Sequence, residues 1–343
     1  MSKYITFTSL LILTTSVAFG QEGSDALSYL NFIGSQYQEI SKDMMSYTSA
    51  VSHGKSARKV EKRRTELLRQ MKESEKNVRK MKTFKNDAKL RDSVASYFRI
   101  CQLVLNEDYG KLLNLEDIAE QSYDAMEAYL LAKERANEKL DDANQKVSDQ
   151  YDAFAANNNI KLVESDSKLS QKIKEATKVH AYYNVVYLIF FKSYKNEAYF
   201  MEAMNKADVN AMEQSRNSLL TSSTDDLTKL GPIAAYQGDA SLKSSCQQLL
   251  NFYKKEASVH FPVFVEYQLK KENFEKMQKV IEGKQNRTQA EVDAFNKAVK
   301  EFNDFTKKAN ASNNECNKNR SSFLNKWNES VETFLDSHTP KYR

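Results

Sequence analysis

The sequence predicts an all-α protein built as two tandem, internally duplicated antiparallel helical bundles, together elongated. Three observations lead there. The segment Phe84-Lys85-Asn86-Asp87-Ala88-Lys89-Leu90-Arg91-Asp92-Ser93 returns as Tyr236-Gln237-Gly238-Asp239-Ala240-Ser241-Leu242-Lys243-Ser244-Ser245, a spacing of 239 − 87 = 152 residues. Glycine and proline number only eight and three in 343 residues, far below the roughly 12% of an average protein, and few breakers permit long helices. Apolar residues recur in alternating steps of four and three, the seam spacing of helical bundles.

The repeat extends well beyond the quoted segment. Val60, Arg64, Leu67, Leu68, Val78 and Met81 face Met212, Arg216, Leu219, Leu220, Leu230 and Ile233, while Leu140, Asn144, Val147 and Asp152 face Val292, Asn296, Val299 and Asp304. Amphipathic helices of similar composition match by chance, but this match runs ungapped and includes the loop around Asp87 and Asp239. It therefore reads as a repeated unit.

The first helix carries Ala26, Leu30, Ile33, Tyr37, Ile40, Met44, Tyr47 and Val51 on one seam, from a cap at Ser24-Asp25 to His53-Gly54. A second runs over about 55–82 with Val60, Leu67, Met71, Val78 and Met81 inward. Asp87 caps a third, carrying Leu90, Val94, Tyr97, Cys101 and Val104 and ending near Gly110. A fourth covers about 115–156, with Ala125, Tyr129, Ala132, Ala136, Leu140, Ala143, Val147 and Phe154 inward. Asn157-Asn158-Asn159 breaks the pattern and marks the boundary between a first bundle, 21–160, and a second, 161–343. In the second, helices are expected over about 165–206 and 209–230. A third starts at Asp239 and reaches about Glu282, bending at Pro262, which faces Gly110 in the repeat register. Thr288-Gln289-Ala290-Glu291 has the capping-box pattern and opens a last helix. That helix carries Val292, Phe295, Val299, Phe302, Phe305, Phe323, Trp327, Val331 and Phe334. Its second half has no counterpart in the first bundle and is expected to dock back on the second.

Residues 1–20 read as an export signal: Lys3, the apolar Leu10-Leu11-Ile12-Leu13, then the small-x-small Ala18-Phe19-Gly20. The exported chain would begin at Gln21, in the periplasm, at the cell surface or outside. An N-terminal anchor needs about 20 apolar residues, more than this segment offers. The most apolar later run, Val179 to Phe191, is thirteen residues long and contains His180 and Asn184, which suits a core helix. Cys101, Cys246 and Cys316 are too few and scattered for a disulfide framework or metal cluster. They read as core thiols, with one pair left able to bond.

The clearest chemical asymmetry is charge. Residues 55–91 hold fifteen basic and five acidic side chains, a net of +10, whereas the equivalent 207–243 hold three and five. The candidate anionic-partner face is Lys59, Lys62, Arg63, Arg64, Arg69, Lys72, Arg79, Lys80, Lys82 and Lys85. The plainer reading is a solvated face in which Glu61, Glu66 and Glu75 form local ion pairs. Nucleic acid is not favoured, since no binding module or aromatic platform accompanies the charge. Glu256 and His260 share a helix face, but the paired Glu-x-x-His motifs of di-metal bundles are absent. Nucleophile elbows, phosphate loops and Cys-x-x-Cys pairs are missing too. His180, Tyr183 and Tyr187 could line an inter-helix pocket, although at helical spacing such residues usually form core.

The run Val17-Ala18-Phe19-Gly20-Gln21-Glu22, the helical body beyond Tyr29-Leu30-Asn31-Phe32, and above all the helix ending Asp149-Gln150-Tyr151-Asp152-Ala153-Phe154-Ala155-Ala156-Asn157-Asn158-Asn159-Ile160 resemble exported helical surface proteins of spirochaetes and Bacteroidetes-type bacteria. The resemblance implies export and a helical fold, and brings no activity or site residues. The expectation is a non-enzymatic exported protein without a cofactor, binding an anionic or protein partner at the cell envelope. The alternative is a small-ligand binder using the pocket of the second bundle.

Overall fold

The eight residues that form the seam of α1 (Ser24–Ser52) are all buried, which makes this helix the spine of the first bundle. The computed structural model describes residues 17–19, 24–105, 123–163 and 167–342. Helices α2 (Ala57–Arg79), α3 (Lys89–Leu103) and α4 (Tyr123–Asn157) follow, each packing on its predecessor. Tyr37 meets Phe98 edge-on at 4.7 Å, and Tyr29, Phe84 and Phe154 form a ring cluster. The expected inward residues of α4 hold for Leu140, Ala143 and Val147. Gly110 and the side chains of Tyr129, Ala132 and Ala136 lie outside the described residues.

Helices α5 (Lys168–Asn205) and α6 (Val209–Leu230) come next, then α7 (Ser241–Lys255), a π-helical turn at Glu256–His260, and α8 (Phe261–Glu282). Near Pro262, where a bend was expected, the helix changes to a π turn while the chain stays helical throughout. Pro262 occupies the first turn of α8. The last helix, α9 (Gln289–His338), begins with the anticipated capping box: Thr288 N–H donates to Glu291 Oε2 at 3.0 Å and Glu291 N–H to Thr288 Oγ1 at 3.3 Å.

Positions 152 residues apart adopt matching local geometry. Lys85 and Asn86 have φ of 48° and 65°, and Gln237 and Gly238 have 50° and 89°. Each pair forms a tight turn closed by a bridge, Phe84 to Asp87 and Tyr236 to Asp239. A primed two-residue turn demands positive φ at both central positions. Asp87 Oδ1 accepts from Lys89 N–H at 2.8 Å and Asp239 Oδ1 from Ser241 N–H at 2.7 Å, so each aspartate, one residue before the N-cap alanine, satisfies the first free amide of the helix that follows. A π turn starts at Val104 in one segment and at Glu256 in the other.

Two features depart from expectation. The chain divides into compact units of Met1–Asn184 with Glu332–Arg343, and Val185–Val331, so the division falls inside α5 and α9 rather than at Asn157–Asn159. The asparagines instead form a turn, with Asn159 at φ 53°. A continuous helix can serve two cores when its apolar residues change partners along its length, and periodicity cannot mark where that happens. Likewise the end of α9 does not stay wholly with the second bundle. In the first unit Phe334 packs against Tyr182 at 5.5 Å, Asp336 bonds His53 at 2.6 Å, and Tyr342 N–H donates to Ser49 Oγ at 3.0 Å. Outside the helices, β1 (Val17–Phe19) pairs antiparallel with β2 (Lys161–Val163), a ladder the helical periodicities did not foretell.

Candidate functional site

Helix α2 turns Leu67, Met71, Ser74 and Val78 inward, all fully buried, and this fixes what faces water. At roughly 100° per residue, Arg58, Lys62, Arg69, Lys72, Lys76 and Lys80 fall in one stripe opposite the buried seam. All six are exposed, and Thr65 is the other residue of the stripe. They span 80 − 58 = 22 residues, or roughly 33 Å of helix axis.

The structure sorts the ten predicted cations into groups. Arg63, Arg64 and Arg79 are tied by short ion pairs to Glu66, Glu61 and Glu75, and Arg64 also reaches the Leu105 carbonyl at 3.5 Å. Lys62 lies 3.9 Å from the half-buried Glu66 and Arg69 2.9 Å from the exposed Glu73, and such pairs at the surface contribute little. Lys85 donates to Asn158 Oδ1 at 3.1 Å and sits over the Phe84 ring. Lys59, Lys72, Lys80 and Lys82 are exposed and have no ion pair among the described residues. Periodicity could have singled out Arg58 and Lys76, which complete the stripe; counting charge along the chain does not.

The residues read as a pocket are core. His180 is fully buried and shares a 2.8 Å hydrogen bond with Ser52 Oγ. Tyr183 is buried. Tyr187 belongs to the other compact unit, where it stacks on Phe191 at 5.7 Å and meets Phe190. A groove of about 1120 Å³ lies elsewhere, between α3 and α4, lined by Lys89, Asp92, Tyr97, Leu103, Lys139 and Lys146 among others. Its charges of both signs alternate and single out no ligand.

The most perturbed chemistry belongs to the second unit. Arg320, on α9, donates from Nε to Glu197 Oε1 and from Nη2 to Glu256 Oε1 at 2.7 Å. Glu197 and Glu256 are both buried. Burial, and then the charge of Glu197, push the Glu256 carboxyl up to about 9, and burial raises Glu197. One guanidinium therefore holds two carboxyls of which Glu256 keeps its proton at neutral pH. Glu256 opens the π turn, and its Oε2, with Tyr253 Oη and His260 Nδ1, is buried without a hydrogen-bond partner. Burial and the Glu256 charge also push the Cys316 thiol up. All three cysteines are free and buried, as core thiols should be. Sequence reading noticed Glu256 with His260 but missed Glu197 and Arg320. Their signal was a charge on an apolar seam: Glu197 follows Tyr183, Val186, Phe190 and Ser193 in steps of three and four. Among the described residues no group of His, Cys, Asp and Glu is arranged to hold a metal, and no described helix is long and apolar enough to cross a membrane. Both carboxyls are buried and Arg320 is half-buried, and the cluster reads as an internal clamp joining α5, the π turn and α9.

What fold and site define is an all-α bundle protein with a basic ridge on one helix and a buried ionic clamp in its second unit. No protein-family model, curated protein or solved structure matches the chain.

Proposed function

We propose that the chain is an exported, non-enzymatic helical protein that binds an anionic partner at the cell envelope through the outer face of α2. One observation carries the reading: the cationic excess is confined to this helix and its flanks and is not required by the fold. In the 152-residue register the six ridge cations face Asn210, Gln214, Thr221, Thr224, Thr228 and Pro232, all uncharged. Like charges three or four apart also oppose helix formation by a few tenths of a kcal/mol per pair, so the ridge is retained at a small cost to α2. Export rests on the signal-like residues 1–20 and on the resemblance to surface proteins.

The test is salt-dependent capture of envelope material by the chain from Gln21 onward. Arg63 and Arg64 are tied into the helix surface, so the informative variant is Lys59→Glu, Lys72→Glu, Lys80→Glu and Lys82→Glu. This variant should lose most low-salt binding while keeping its helical spectrum. Undiminished capture by the folded variant would sink the proposal.

A further inference from the structure

We propose that the ridge Arg58–Lys62–Arg69–Lys72–Lys76–Lys80 is a binding line for a linear polyanion, an acidic polysaccharide laid along the axis of α2. The inference rests on the anionic-partner reading above and narrows the partner to one chemistry.

The first argument is shape. The cations form a single file, and acids border it on both sides: Glu61 and Glu75 along one edge, Glu66 and Glu73 along the other. A planar anionic surface would meet these carboxylates as well as the lysines. A single polymer strand meets only the file. Successive cations sit three to four residues apart except across Thr65, so the charges recur about every 5 Å along the axis. That spacing suits a flexible chain bearing regular carboxylates or sulfates.

A second argument excludes the usual mode of membrane-surface helices, which sink an apolar face into the lipid. The apolar residues of α2 are already used, because Leu67, Met71 and Val78 are buried completely in the bundle. Nucleic acid is disfavoured for a parallel reason. Single strands are held by base stacking on aromatic side chains as well as by charge, and α2 contains no Phe, Tyr or Trp.

Third, most of the cations are free to exchange partners, the exception being Arg69, whose pair with Glu73 at 2.9 Å is itself exposed and so contributes little. Arg58, Lys72, Lys76 and Lys80 have no ion pair among the described residues, and the Lys62–Glu66 contact, at 3.9 Å, is loose. Binding therefore breaks little that exists, and displaced counterions supply the driving force.

The experiment uses the chain from Gln21 onward with fluorescent dextran sulfate graded by length. Affinity should rise with length until the polymer spans roughly 33 Å, then level off per site. Between about 50 and 200 mM salt, log K should fall against log salt with a slope near −4, by the single-strand coefficient for six contacts. Replacing the six cations with glutamine should remove most of that slope and cost at least about tenfold in affinity at low salt. Unchanged helicity and melting would show the variant folded. Lys276→Gln with Lys279→Gln, exposed on α8, should change nothing. Equal binding by the folded ridge variant, or affinity indifferent to polymer length, would overturn the inference. If phosphatidylglycerol–phosphatidylcholine vesicles bind through the ridge and the polymer does not, the polysaccharide assignment falls and the anionic-partner reading survives. Ridge-dependent binding of an oligothymidylate more tightly than the polymer also overturns the assignment. No ridge-dependent binding to any probe at low salt removes both readings.

Discussion

Glu256 shows how strongly one side chain can be set by its surroundings. On a solvent-facing helix it would ionise near 4.5. Here burial and the neighbouring Glu197 push it up to about 9, and Arg320 offsets only part of this. Between about pH 4.5 and 9 the folded state therefore holds a proton that the unfolded chain has already released. Stability contributed by the neutral carboxyl is complete below 4.5 and declines as pH rises through that window. Glu256→Gln fixes the neutral state and keeps an oxygen for Arg320. It should melt within a few degrees of the parent at pH 5 and clearly above it at pH 9, by an amount on the order of a few kcal/mol. Parallel melting curves across that range would show that the carboxyl is ionised in the fold. Tyr253, His260 and Cys316 surround the same carboxyl, and burial pushes the thiol and the phenol up, so both stay neutral throughout the window. His260 is pushed down by burial and stays neutral over most of it.

At the scale of elements, the short ladder between β1 and β2 has a consequence for processing. Val17, Ala18 and Phe19 pair with Val163, Leu162 and Lys161, yet these three lie within the residues that read as an export signal. Cleavage after Gly20 would leave the Lys161–Val163 amides without their ladder. Hydrogen exchange should then be fast at 161–163 in a chain starting at Gln21 and slower in the uncleaved chain. Protection that is identical in the two chains would mean that the ladder does not shield them. A different economy governs the antiparallel pair made by α8 and the start of α9. It has one aromatic seam, with Phe274 stacked on Phe302 at 4.8 Å and on Phe295 at 5.8 Å, while Leu269, Met277 and Val280 stay exposed. In sequence these helices look as strongly amphipathic as the others. Only the tertiary structure shows that between Tyr267 and Phe305 their apolar residues are at most half-buried, because two helices alone cannot enclose a core.

Across the whole molecule, the 152-residue register predicts paired behaviour. Leu67 and Leu219 lie 152 residues apart and are both fully buried. Leu67→Ala and Leu219→Ala should each cost about 2–5 kcal/mol, and thermal melts of the two variants would check this. A large loss at one and near-neutrality at the other would show that the shared pattern does not reflect shared packing.

Much of this architecture was legible in the residues. The seam of α1, the capping box at Thr288, the paired turns at Asp87 and Asp239 and the irregularity near Pro262 all depend on local forces: apolar spacing, side-chain hydrogen bonds to free amides, and fixed φ. These act within a few residues and leave their mark in the order of amino acids. The ridge of α2 was visible as charge, and the inward set Leu67, Met71 and Val78 expected from periodicity already fixed the side on which its line falls. Arg320 meeting Glu197 and Glu256, the departure of Phe334 and Asp336 from the second unit, and the division within α5 were not visible. Each depends on residues brought together from 64 to 283 positions apart. A buried charge is tolerated only where a distant partner compensates it, and no local pattern names that partner. The sequence by itself therefore determined the helices, their caps and the place of the charge. The tertiary structure alone decided which charges meet across the fold and which carboxyl keeps its proton, because burial and the dielectric around a group belong to the folded chain.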